Sequence, residues 1–215
     1  LFRWNIPDDR SFCKDGRVPR RSLAQVAVDR DLTLAAAVEE ASVVGLEGLT
    51  IGRLAARLGM SKSGLVGRFG DKQGLQLATL ARAAEMFQEV VYEPAAAAAP
   101  GLPRLRVICD AWVDYLGEPC FPGGCFLTTA SVEFDGRDGP VRDAVAHEMR
   151  RWLRLLEREA AVANEAGELP AGTDPAELAF TLNALAVGTN CDFQLHRRRS
   201  SLDAARRAMA AALAR

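Results

Sequence analysis

Residues 50–72 read TIGRLAARLGMSKSGLVGRFGDK, and the reading of the whole chain turns on this stretch. Ile51, Leu54, Ala55 and Leu58 recur at i, i+3, i+4 and i+7, which gives a short helix one apolar stripe. Thr50 stands just before it as an N-cap, where a hydroxyl accepts from an otherwise unpaired backbone N–H. Gly59 ends the helix where a positive φ is wanted. Ser61 then caps a second short helix whose apolar pair is Leu65 and Phe69. Two such helices joined by a Gly-containing turn predict a helix-turn-helix. The stretch holds five cations (Arg53, Arg57, Lys62, Arg68, Lys72) and one anion, Asp71, in a chain of formal net charge −1. Positive charge gathered on one helical pair is what a phosphate backbone selects.

Ser61, Lys62, Ser63 and Gly64 open the second helix, where free backbone N–H groups and the helix dipole favour phosphate. Side chains near that end also reach base edges in a major groove, so Lys62 is a candidate reader of guanine O6 or N7. Gly64 and Gly67 let the helix backbone come close to a duplex. At these residues the sequence resembles the TetR family of bacterial transcriptional regulators. The family pattern is carried by Thr50, Leu54-Ala55, Gly59-Met60-Ser61, Gly64-Leu65, Phe69 and Lys72. The resemblance implies that Thr50 and Lys72 hold phosphates from the flanking helices. Arg53 and Arg68 complete the expected DNA-binding set. Three positions depart from the pattern: Val66 replaces the usual Tyr, Arg68 the usual His, and Ala41 the usual Phe.

Length and composition bound the rest. A chain of 215 residues with 49% hydrophobic residues is long and apolar enough to bury a core. No apolar run reaches the ~18 residues of a membrane span, and the N-terminus lacks the apolar segment of a secretory signal. Cys13, Cys109, Cys120, Cys125 and Cys191 form an odd set without C-x-x-C spacing, which predicts reduced thiols in the cytoplasm. His147 and His196 lie far apart, so no histidine metal site is expected, and no cofactor.

Three units are predicted. Residues 1–22, punctuated by Pro7, Gly16 and Pro19, read as a disordered extension, with a basic arm of Arg17, Arg20 and Arg21 as the alternative. Residues 23–80 form the helix-turn-helix domain, opened by a helix from about Asp29 to Val44. Residues 81–215 form a helical domain for ligand binding and dimerisation. A helix from Asp71 toward Tyr92, stopped by Pro94 and roughly 30 Å long, joins the two. AAAAAPGLP (95–103) reads as a hinge-like linker. No strand is predicted, so the fold class is all-α.

In the second half, Trp112, Tyr115, Phe126, Thr129, Glu133, Phe134 and Trp152 fall on three successive helices. Aromatics mixed with a few polar groups are what a small-molecule pocket needs. Thr129 and Glu133 share a helix face and are the candidate polar contacts, Glu133 favouring a cation or a hydroxyl donor. No Ser or Cys shares a plausible face with a His, so no catalytic residue is assigned. The helix from Pro175 to Phe193 is apolar over most of its circumference and predicts a homodimer through the two C-terminal helices. The expectation is therefore a repressor that leaves a double-stranded DNA operator when a small-molecule effector binds. An all-α ligand-binding dimer without sequence-specific DNA reading, and a helical enzyme, stay open at this point.

Overall fold

The computed structural model describes residues 23–118 and 120–214; the expectations for residues 1–22 lie outside them. The described chain is helical throughout, without a strand. Helices α1 (Leu23–Val44), α2 (Ile51–Leu58) and α3 (Lys62–Phe69) pack together, and α4 (Lys72–Phe87) leads away from them. The first helix begins at Leu23, earlier than the expected Asp29.

The short helices are set by the capping chemistry the sequence predicts. Thr50 Oγ1 accepts from the Arg53 N–H at 3.2 Å, Ser61 Oγ from the Gly64 N–H at 3.1 Å, and Asp71 Oδ1 from the Gly74 N–H at 2.8 Å. Gly59 ends α2 at φ 62°, a left-handed conformation that costs a side chain roughly 1–2 kcal/mol. Leu54, Leu65 and Leu75 are fully buried, as are Val38, Leu46 and Leu49, within one apolar cluster. One helix from each unit of the motif thus feeds a common small core.

Beyond α4 the chain departs from expectation. The helix widens into a π-helical turn, Gln88–Tyr92, and continues as α5 (Glu93–Ala96), so Pro94 does not stop it. The Glu93 N–H donates to Gln88 O, one residue further back than in an α-helix. That widening makes room for Pro94, whose ring strikes an i−4 carbonyl and which has no N–H to give. Nor is 95–103 a free linker: Ala95 is fully buried, and α6 (Leu102–Gly117) begins directly after a turn. Glu159 Oε2 accepts from the Gly101 N–H at 3.1 Å and Glu168 Oε2 from the Leu102 N–H at 2.9 Å, so two carboxylates cap α6. Arg104 and Arg158 each approach Glu159 to 3.2 Å, which pairs its buried charge.

The remaining helices are α7 (Phe126–Phe134), α8 (Pro140–Glu165), α9 (Pro175–His196) and α10 (Arg199–Ala212). The predicted stripe on α6 (Leu105, Ile108, Cys109, Trp112, Tyr115, Leu116) is buried in full. Buried apolar residues form one continuous cluster from Leu34 to Leu213, so α4 crosses between the N- and C-terminal parts without a solvent gap. The loop between α6 and α7 locks them further. A Cβ on Gly123 would fall 1.6 Å from Ser42 O at the end of α1, a contact only glycine permits. Next to it, the Cys125 N–H donates to Asn190 Oδ1 of α9 at 2.8 Å.

Candidate functional site

The outer face of α3 is open. Ser61, Lys62, Ser63, Gly64, Val66 and Gly67 are all exposed, while Leu65 and Phe69 point inward. Ser61 is engaged as the cap, with Ser63 Oγ at 3.3 Å from its hydroxyl. The Lys62 stem lies over Gly52, where an added Cβ would sit 3.4 Å from its Cε. Gly67 is the telling residue. A Cβ there would meet nothing within 4 Å, so nothing inside the protein requires glycine in the middle of this helix. Glycine costs a helix interior about 1 kcal/mol against alanine.

The cations are less free than their spacing along the chain suggests. Arg53 Nε lies 3.0 Å from Glu40, Arg57 pairs closely with Glu39, and Lys72 Nζ lies 2.7 Å from Glu47. Arg68 donates to Thr33 Oγ1 at 3.3 Å. Lys62 forms no ion pair among the described residues. The acids come from α1 and the loop after it, outside the 50–72 stretch. The Arg57–Glu39 and Lys72–Glu47 pairs are exposed and contribute about 0–1 kcal/mol, so a phosphate can displace them, whereas Glu40 is buried.

Glu133 sits where the sequence did not put it. Its carboxylate accepts from the backbone N–H groups of Leu46 at 2.8 Å and Glu47 at 3.0 Å, in the loop after α1. It therefore bridges α7 to the helix-turn-helix part and does not pair with Thr129 as a ligand contact. Thr129 Oγ1 donates to Cys125 O at 3.2 Å, within its own helix. Around Glu133 a polar junction closes. Gln76 Nε2 donates to Leu46 O at 2.9 Å and to Glu47 Oε2 at 3.1 Å, and Arg137 approaches Glu47 to 3.5 Å while covering the Phe134 ring. Hydrogen bonds from Lys72 and Gln76 hold the Glu47 carboxyl below the usual range. Glu47, Gln76 and Arg137 carried no signal in the sequence, because their partners are far away in the chain.

Four of the five predicted aromatics come together through Phe87 and Phe121, while Phe134 lies under Arg137. Phe87 meets Trp112, Tyr115 and Trp152 edge-to-face at 6.0, 5.2 and 4.8 Å, and Trp112 meets Trp152 at 5.0 Å. Phe121 links Tyr115 to Phe126, both at 6.0 Å. The indole N–H groups of Trp112 and Trp152 and the Tyr115 hydroxyl are buried without a hydrogen-bond partner. Burial, with Cys125 beside it, pushes the Tyr115 phenol well above its ordinary range. Two cavities flank this cluster. One, of about 390 Å³, opens between α4 with its π-turn, α7 and α8, and Trp152 is among its walls. The other, of about 1050 Å³, lies between α1, α4, α6 and the loop after α6, and Tyr115 is among its walls. Trp112, Phe126, Thr129, Glu133 and Phe134 line neither.

An all-helical chain with an open recognition helix and a helix running from it to an aromatic centre defines a helix-turn-helix regulator. The family model for bacterial regulatory proteins of the TetR family matches residues 34–79, and that for the tetracyclin repressor-like C-terminal domain matches residues 101–209. The chain belongs to the TetR family of DNA-binding transcriptional regulators. Solved structures share the fold. A TetR transcriptional regulator from Chloroflexus aurantiacus J-10-FL is 22% identical, with a TM-score of 0.81 over 88% of this chain and 96% of that one. AibR, solved with isovaleryl coenzyme A and operator DNA, is 20% identical, with a TM-score of 0.67 over 82% and 96%. A cysteine mutant of CifR, solved with double-stranded operator DNA, is 24% identical, with a TM-score of 0.73 over 85% and 96%. No curated protein matches the chain.

Proposed function

We propose that this regulator is a cytoplasmic homodimeric repressor that leaves its operator when a small molecule enters its C-terminal part. Residues 23–80 read DNA. Lys62 and the backbone at Gly64 and Gly67 approach base edges, while Thr50, Arg53, Ser61, Ser63, Arg68 and Lys72 hold phosphates. Residues 81–215 bind the effector and dimerise. The observation that carries the reading is the exposed backbone at Gly67, where an added Cβ would meet nothing within 4 Å, on a helix that buries Leu65 and Phe69 on its other face. A glycine that costs stability and serves no internal contact fits a helix pressed against a duplex.

Operator-bound AibR and CifR support the DNA partner, and AibR with isovaleryl coenzyme A supports a small-molecule one. The route between them is α4, which carries Lys72 at one end and Phe87 against the aromatic centre at the other. The outer stripe of α9 (Phe180, Ala184, Gly188, Cys191, Leu195) is exposed and suits a two-fold partner. A mobility-shift assay on the DNA upstream of the protein's own reading frame tests the proposal. Binding of a palindrome, lost in high salt, is expected; no enriched sequence from a genomic fragment library would leave only a ligand-binding dimer.

A further inference from the structure

The smaller cavity has a chemistry of its own. Three arginines of α8 (Arg151, Arg154, Arg158) stand on its rim against one carboxylate, Glu148. Phe87, Leu127 and Trp152 supply apolar wall. Two of the guanidiniums are held: Arg151 donates to Gln88 Oε1 at 2.9 Å and lies 3.4 Å from Glu148, and Arg158 lies 3.2 Å from Glu159. Arg154 has no partner among the described residues. Trp152, in the wall, keeps a buried indole N–H with no acceptor. Gln88 belongs to the π-helical turn, a distortion that recurs at functional sites.

We infer that this cavity binds an organic anion, a carboxylate on an apolar or aromatic body. The inference rests on the effector reading of the C-terminal part and gives that ligand its charge. A body of that kind packs against the wall of Phe87, Leu127 and Trp152, and the carboxylate takes Arg154 at the rim. A planar guanidinium suits a carboxylate better than any other common side chain. A cation there would face the unpaired charge of Arg154. This reverses the preference drawn from Glu133, whose oxygens are held at the loop after α1. An anion at the rim would also compete for Arg151, and so free Gln88 on the helix that leads to Lys72.

Isothermal titration calorimetry on the full chain with phenylbutyrate, phenylbutanol and phenylbutylammonium tests this. These probes share one body and differ only in the terminal group. Phenylbutyrate is expected to bind about tenfold more tightly than the other two. Arg154→Gln, on the exposed rim, is expected to remove that advantage and Arg154→Lys to restore part of it. Equal binding of the three probes, no binding of any, or phenylbutyrate binding unchanged in Arg154→Gln would overturn the inference. The same complexes are then titrated against the operator. Arg154-dependent phenylbutyrate binding that leaves operator affinity unchanged keeps the anion site and removes the release mechanism instead.

Discussion

Glu133 and Leu46 are 87 residues apart in the chain, yet the Glu133 carboxylate accepts the Leu46 backbone N–H at 2.8 Å. The other oxygen takes the Glu47 N–H, so one side chain satisfies two successive donors of the loop after α1. Gly45 is what lets it in. It sits at φ 81°, and a Cβ there would lie 2.5 Å from Glu133 Oε1. The helix-turn-helix part is thereby fastened to α7 by a polar contact beside the apolar core.

Glu133→Ala leaves two part-buried N–H groups without acceptors and is expected to destabilise the fold by about 1–3 kcal/mol. Glu133→Gln keeps one acceptor and should fall between. Urea unfolding measures both. Wild-type stability in the alanine variant would show that the junction is held elsewhere.

The junction should also loosen in acid. Hydrogen bonds from Lys72 and Gln76 lower the Glu47 pKa in the folded state relative to the unfolded one. Its contribution is therefore present above the usual glutamate value of about 4.3, and is lost as pH falls through the lower folded value. Part of the drop in urea midpoint between about pH 6 and about pH 3.5 should vanish in Glu47→Gln. An identical acid limb in that variant counts against the role of Glu47.

Gly67→Ala separates stability from DNA binding. The added methyl meets nothing within 4 Å, so the variant should gain about 0.5–1 kcal/mol in helix propensity. Operator affinity should fall at the same time. A variant that is more stable and binds the operator as well as wild type would place the duplex away from this face.

Lys62 and Lys72 should fail differently. Lys62 has no ion-pair partner among the described residues, and on the proposed reading it contacts bases, so Lys62→Ala should relax sequence choice. Lys72→Gln should weaken all duplexes alike and lower the salt slope by about one. Titrations at several salt concentrations, against operator and scrambled DNA, tell the two apart.

For the dimer, the informative residue is Phe180. It is 68% exposed on the outer stripe of α9, whereas Leu185 on the same helix is partly buried and packs on the protein's own core. Phe180→Glu should yield a folded monomer by light scattering, and Leu185→Glu an unfolded or insoluble chain. A folded Phe180→Glu dimer would move the interface off this stripe.

Much of this was legible in residues 50–72. Caps, the left-handed glycine and the apolar spacing act within one turn of the chain, so Thr50, Gly59, Ser61, Leu65 and Phe69 determine the motif locally. The gathering of Trp112, Tyr115, Phe126 and Trp152 was also readable, since each lies on the buried stripe of its own helix. What only the tertiary structure decided is where the polar groups go. Glu133 and Thr129 share a helix face, and periodicity cannot tell a carboxylate aimed at a cavity from one aimed at a distant loop. The cations of the motif look unopposed until α1 brings Glu39 and Glu40 alongside and its loop brings Glu47. Pro94 reads as a stop in any local rule, and a π-helical turn before it carries the helix on. Apolar periodicity is repeated along the chain and survives in the sequence; a hydrogen bond or ion pair between distant residues is made once, by the fold.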